Sequence, residues 1–164
     1  LDLVTLANNH ALDFGMDALL DTCDTLDQAG IYHVGAGRNL EEACEPVIIT
    51  EKGERVRSKS EKILADYFYR NNIIYKYEKP LFLKGYGTVY PDFTFLSRKT
   101  GEEIYWEHEG MMDKSDYAKT AVKKLESYQK NGIYLGERLI ATFETEQTLL
   151  NSQIIQQLVQ KYLL

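Results

Sequence analysis

Residues 89–109 read VYPDFTFLSRKTGEEIYWEHE, two strand-like runs around a turn-like SRKTGE. With an even-numbered loop centred between Lys99 and Thr100, the register places Asp92 directly opposite Glu107. Directly opposed residues share a face, with Cβ atoms about 4.5–5.5 Å apart. Alternation then gathers Tyr90, Asp92, Thr94, Tyr105, Glu107 and Glu109 on one face. Phe93, Phe95, Ile104 and Trp106 fall on the other, where a core takes them. A strand pair with one apolar and one carboxylate-bearing face points to a hard divalent cation, because such cations take oxygen ligands.

Around this pair, SKSEKILADYFYRNN at 58–72 predicts a helix that Ser58 or Ser60 can cap, with Ile63, Leu64, Tyr67 and Phe68 as its apolar stripe. Residues 73–83 predict a strand interrupted by Pro80, and GYG at 85–87 turns into a strand over 89–97. The third strand runs over 103–109. A helix over 113–131 closed by Gly132, a strand over 138–144 and a helix over 147–164 complete the order αβββαβα, its first three strands forming a meander. On the second of these helices Tyr117, Ala121, Lys124 and Tyr128 share one face.

The first 53 residues read differently. A strand over 2–8, a helix over 16–29 stopped by Gly30, a strand over 31–34 and a third strand over 46–50 make a βαβ progression, usually part of a parallel sheet. GAG at 35–37 reads as a turn entering a short helix. Residues 1–53 carry ten acidic and two basic residues, a balance of −8, whereas residues 54–164 stand at +2. Such asymmetry marks two pieces of different task, and only the second is suited to approaching phosphate. The domains expected are therefore 1–53 and 54–164.

With 44% hydrophobic and 27% charged residues, the composition is that of a soluble globular protein, and a net charge of −6 argues against general affinity for nucleic acid. No apolar run is long enough to span a membrane, and no signal-peptide pattern opens the chain, which begins on Leu1. Cys23 and Cys44 lack metal-binding spacing and read as reduced thiols of a cytoplasmic protein.

Two resemblances add to this. LANNHALDFG at 6–15 and GIYHVGAGRNLEEA at 30–43 look like a middle segment of the capsule-synthesis (CapA-like) family, of calcineurin-like metallophosphatase fold. That likeness implies a metal or substrate role for Asn8, Asn9 and His10. The family's other metal-bearing segments are absent, however, and a catalytic centre needs at least three protein ligands. EKILADYFYRNNIIYKYEKPL, YPDFTF and YWEHEG resemble, in that order, the restriction-endonuclease-like PD-(D/E)XK superfamily over residues 55–164. The fold expected is thus α/β, an αβββαβ nuclease-like core preceded by a partial βαβ segment. The resemblance implies catalysis by Glu61, Asp92, Glu107 and Lys124, with Mg²⁺ or Mn²⁺ on Asp92, Glu107 and Glu61, and DNA as the partner. Where that superfamily places lysine, two residues after Glu107, this chain has Glu109. Lys124 is the candidate to supply the charge from the following helix, as in some branches; without it the domain would bind and not cut. The alternatives are therefore an inactive nuclease-fold module and a capsule or poly-gamma-glutamate synthesis protein.

Overall fold

The structure, a computed structural model, describes residues 3–44 and 46–164. The chain forms two compact units, Leu1–Lys62 and Ile63–Leu164, and its architecture is mixed α/β with five helices and several small sheets among the described residues.

In the first unit, β1 (Leu3–Thr5) pairs in parallel with β2 (Tyr32–Val34), and α1 (Gly15–Gln28) makes the crossover. Leu19 and Cys23 on one side of α1 are buried with Ala36, and Leu6 and Ala11 pack against them. Gly35 follows β2 at φ +83°, where a Cβ would lie 2.4 Å from the Ala7 Cβ. Only glycine fits both that backbone and that approach. After the short α2 (Leu40–Cys44), the strand expected over 46–50 shrinks to β3 (Ile48–Ile49). It does not extend the parallel pair. It joins β4 (Arg55–Val56) in an antiparallel hairpin, Ile48 opposite Val56. The intervening residues turn straight back, Thr50 N–H donating to the Glu54 carbonyl at 2.9 Å and Gly53 N–H to Thr50 at 2.9 Å. Parallel pairing would need a crossover of a dozen residues or more. The same hairpin explains why the first unit extends past residue 53: β4 is tied to β3, and Lys62 Nζ donates to the Ile49 carbonyl at 2.7 Å.

Helix α3 (Lys59–Arg70) runs across the division between the units. In the second unit the sheet order is β10-β9-β8-β5. Strands β5 (Lys76–Tyr77), β8 (Phe93–Leu96) and β9 (Glu103–Glu109) are successive antiparallel neighbours, the meander expected. Strand β10 (Leu139–Phe143) lies parallel to β9 after the crossover helix α4 (Ser115–Lys130). The strand expected over 89–97 is in fact two. Its start belongs to β7 (Gly87–Val89), which pairs with β6 (Leu81–Leu83) in a separate hairpin. Tyr90, Pro91 and Asp92 link β7 to β8, and Pro91 has no N–H to offer a ladder. The final helix α5 (Ser152–Tyr162) starts later than expected, with the Asn151 side chain accepting from Gln153 N–H at 2.8 Å.

Both faces of the sheet are covered. On one, Phe93, Phe95, Ile104 and Trp106 pack with Leu64, Ala65 and Phe68 of α3 and with Ile155 and Val159 of α5. On the other, Tyr105 and Leu139 pack with Tyr128 of α4 and with Leu83 and Val89 of the β6–β7 hairpin. The face assignment made from alternation alone therefore holds for these core positions.

Phe68 is the hub of the first cluster. Its ring stands edge-on to Tyr75, Phe93, Phe95 and Trp106, with centroids 5.0–5.8 Å apart. Truncating it leaves a cavity that four rings cannot collapse into. Phe68→Ala should cost about 3–5 kcal/mol, read as a lower urea midpoint with unchanged slope. Trp106, the single tryptophan of the chain, reports on this unit alone, so its fluorescence is the signal to follow. A loss under about 1 kcal/mol would contradict the packing described.

Candidate active site

The observed β8–β9 pairs are Phe93↔Trp106, Thr94↔Tyr105, Phe95↔Ile104 and Leu96↔Glu103. Continued one step past the Phe93↔Trp106 pair, this register sets Asp92 opposite Glu107, as the sequence predicts. Pairing stops there, and the reason is visible in the hydrogen bonds. Tyr105 N–H points to β10, donating to the Arg138 carbonyl at 2.8 Å. Alternation sends His108 N–H to the β8 side. No strand backbone meets it there; the Asp92 carboxylate does, with Oδ2 accepting at 2.6 Å. The strand end thus fixes Asp92 beside the segment carrying Glu107 and Glu109.

Glu107 is almost wholly buried, its side chain 1% exposed. Tyr128 Oη donates to its Oε1 at 2.6 Å, and Lys124 Nζ donates to its Oε2 at 2.9 Å. Lys124 also stands 3.2 Å from Glu109 Oε1, an atom that is buried without a hydrogen-bond partner. The face of α4 nominated from helical spacing is the one presented, so Lys124 does reach Glu107. Tyr117, about two turns earlier, sits beside Glu109 with its hydroxyl accepting from Gly110 N–H at 3.3 Å.

The electrostatics follow from burial. Desolvation pushes the Glu107 carboxyl up, against the opposing pull of Lys124 and the Tyr128 hydrogen bond. Burial alone would lower the Lys124 ammonium; the carboxylates of Glu107, Glu109 and Asp92 outweigh it and hold the group above its usual range. Burial, then the Glu109 charge, pushes the Tyr117 phenol up to about 12. Burial and Glu107 raise Tyr128 further still. Lys124 is therefore a fixed cation, and Tyr128 a fixed donor.

Three carboxylates, those of Asp92, Glu107 and Glu109, act on the Lys124 ammonium. Carboxylate oxygens are the donors that a hard divalent cation takes. Among the described residues no three His, Cys, Asp or Glu side chains are gathered so as to cage a metal by themselves. Mg²⁺ does not require a cage: it is commonly held by one or two carboxylates, with waters and substrate phosphate completing the octahedron.

Glu61, expected as an accessory acid, has a different task. Its carboxylate accepts from Arg57 N–H at 3.0 Å and from Ser58 Oγ at 2.8 Å, while its own N–H donates to Ser58 Oγ at 3.1 Å. This is a reciprocal cap at the start of α3. His108 is a satisfied core histidine. Nδ1 lies 3.0 Å from Thr142 Oγ1 and Nε2 3.0 Å from Glu144 Oε2, and Thr142 also accepts from Trp106 Nε1 at 3.1 Å. Two residues absent from the expected site are Tyr128 and Tyr117. Both lie on the face of α4 named from spacing, and their place among its aromatics was the available signal.

In the first unit, Asn8, Asn9, Gly35, Leu12 and Leu19 are among the residues lining an open cleft of about 500 Å³. The Asn8 side chain accepts from His10 N–H at 2.9 Å, and His10 Nδ1 pairs with Asp13 at 2.9 Å on the surface. His10 thus belongs to a turn at the surface.

Tyr128→Phe strips Glu107 of one of its donors and should cost about 1.5–3 kcal/mol at neutral pH. The sign with pH is determined by the raised Glu107 carboxyl. A raised folded pKa means stability present at low pH and lost as pH rises through that pKa. Removing a donor raises it further. The destabilisation should be full where Glu107 is ionised and shrink as pH falls through the folded pKa, in urea melts at neutral and mildly acidic pH. A penalty that grows on acidification would contradict this arrangement.

Comparisons with known proteins bear on the two units unequally. Residues 1–66 match the family described as bacterial capsule synthesis protein PGA_cap. Probable polyglutamine synthesis accessory proteins of two Mycobacterium tuberculosis strains, CDC 1551 and H37Rv, are each 50% identical over 50 residues, 30% of this chain and 13% of theirs. An uncharacterized protein of Methanocaldococcus jannaschii is 33% identical over 125 residues, covering 68% of this chain and 10% of its own length. That share exceeds the length of the first unit, so the similarity takes in part of the second. The chain spans only 10–13% of the length of these relatives. No solved structure matches. Over residues 1–66 the chain is thus similar to bacterial capsule-synthesis proteins.

Proposed function

We propose that the second unit is a metal-dependent phosphodiesterase acting on DNA, built on a restriction-endonuclease-like core, with Asp92, Glu107 and Lys124 at its centre. The observation that carries this reading is the placement of Lys124 Nζ at 2.9 Å from Glu107 and 3.2 Å from Glu109, where the β8–β9 register, continued one residue past Phe93↔Trp106, opposes Glu107 to Asp92. The sheet supports it: an antiparallel meander followed by a helical crossover to a strand parallel with β9 is the order expected of that core. The reading rests on the geometry of the second unit, and the kinship of the first unit is a separate matter.

A divalent cation at Asp92 and Glu107 would lower the pKa of bound water and neutralise charge on phosphoryl oxygens. Lys124, held protonated by three carboxylates, cannot serve as a general base; it donates N–H to an anionic oxygen, a contact that strengthens as charge develops there. Tyr128 and Lys124 together fix both oxygens of Glu107, so the carboxylate does not have to reorganise during reaction. Asp92 is oriented by the His108 N–H.

The test uses the full chain. It should cut DNA in Mg²⁺ or Mn²⁺. Asp92→Asn keeps an acceptor for His108 N–H and removes the charge, so the rate should fall on the order of 100-fold or more. Saturating Mn²⁺ should raise the melting temperature of the parent relative to chelator, and not that of Asp92→Asn. Cleavage and metal response equal in both proteins would refute the site.

A second reading is favoured by the capsule-synthesis relatives: that the chain serves in capsule or poly-gamma-glutamate synthesis through its first unit, whose 50-residue identity to polyglutamine synthesis accessory proteins is high. It predicts phosphomonoester hydrolysis by the full chain in Mn²⁺ that is lost in His10→Ala and kept in Asp92→Asn. The opposite pattern returns the function to the second unit.

A further inference from the structure

Hairpin β6–β7 is inserted between the first two strands of the meander and has an inner and an outer face. Inward, Leu83 and Val89 are buried in the cluster that contains Tyr105 and Tyr128. Outward, the register opposes Phe82 to Thr88, and the residues of the same parity, Phe82, Lys84, Tyr86, Thr88 and Tyr90, are all exposed. Three of them are aromatic: Phe82 is 72% exposed, Tyr86 44% and Tyr90 56%. An exposed phenylalanine on a short hairpin gains nothing from folding, so three rings on one outer face mark a surface with another use.

The hairpin is also held against the candidate site. Its inner residues pack with Tyr128, the donor to Glu107. Asn131, just after α4, grips its tip: Oδ1 accepts from Lys84 N–H at 2.8 Å and Nδ2 donates to the Lys84 carbonyl at 3.2 Å. Tyr90 lies two residues before Asp92, with only Pro91 between them. Rings alternating with a lysine thus lie on a hairpin held by the C-terminal end of the helix that supplies Lys124, and the chain runs from the last ring through Pro91 to Asp92.

We infer that the outer face of the β6–β7 hairpin binds single-stranded nucleic acid, with Phe82, Tyr86 and Tyr90 stacking on successive bases and Lys84 meeting the backbone, and delivers the strand to Asp92. This rests on the phosphodiesterase reading for its purpose and deepens it by naming the substrate class. Unpaired bases expose π-faces that such rings can cover, whereas in a duplex those faces are already stacked. An exposed Lys84, and Lys76 on the Thr94 side of β5, supply charge of the sign a phosphate backbone requires.

The experiment measures binding apart from cleavage. Fluorescence anisotropy of a labelled oligothymidylate of about 20 nucleotides is followed with the full chain in chelator, for the parent, Phe82→Ala, Tyr86→Ala, Tyr90→Ala and the triple variant. Each ring removed should weaken binding at least about fivefold, and the triple variant about 100-fold or more. A blunt duplex of equal length should bind the parent more weakly than the single strand. Urea melts followed by Trp106 fluorescence confirm that the variants fold, as substitutions at exposed positions should permit. Equal binding of parent and triple variant, preference for the duplex, or no binding by the parent would each overturn the proposal. Its failure is distinguishable from that of the phosphodiesterase reading. A chain that binds through the rings and never cuts keeps this surface and loses the reaction. One that cuts, lost in Asp92→Asn, while the ring variants bind as the parent does keeps the reaction and loses the surface.

Discussion

A carboxylate buried as deeply as Glu107 has to be met by donors, and the second unit is arranged around that requirement. Leaving one such charge unpaired would cost several kcal/mol, a large part of the stability of a domain this size. Tyr128 and Lys124 meet it from one helix, where their i, i+4 spacing puts them on one face. That single requirement sets the rotation of α4 about its axis, and with it the place of Tyr117 beside Glu109. The β6–β7 hairpin then packs on Tyr128, so its position is a consequence of the same pairing.

What this arrangement offers chemically is different from what it contributes to stability. Replacing a buried ion pair by apolar side chains is often neutral or stabilising. Three carboxylates around one ammonium make a poor device for holding a fold together. A buried Glu107 gripped by Lys124 and Tyr128 is therefore the feature to which the proposed reaction is attached.

Much of the second unit was legible in its sequence. The even-numbered loop centred between Lys99 and Thr100 determines the β8–β9 register, and period-two alternation then assigns Phe93, Phe95, Ile104 and Trp106 to the core. Lys124 was legible through helical spacing. Glu61 was not, because an acid in the first turn of a helix serves a cap and a catalytic site equally well on paper; Ser58 three residues earlier was the better guide. The split at Tyr90–Asp92 was missed because YGTVYPDFTF alternates without a break, and only Pro91 marks the point at which the ladder cannot continue. The antiparallel turn of β3 into β4 straddles the expected boundary between residues 53 and 54, where the short loop around Gly53 carries the information.

Thr142 has a consequence for how the two faces of the sheet are joined. A hydroxyl has one hydrogen and two lone pairs, and this one receives the Trp106 N–H. It also lies 3.0 Å from His108 Nδ1 and 3.5 Å from the Glu107 carbonyl, to which it can donate. A single threonine on the neighbouring strand thus ties the indole of the apolar face to the backbone that carries Glu107, so a disturbance in the aromatic cluster is passed to the carboxylate through β10 as well as along β9.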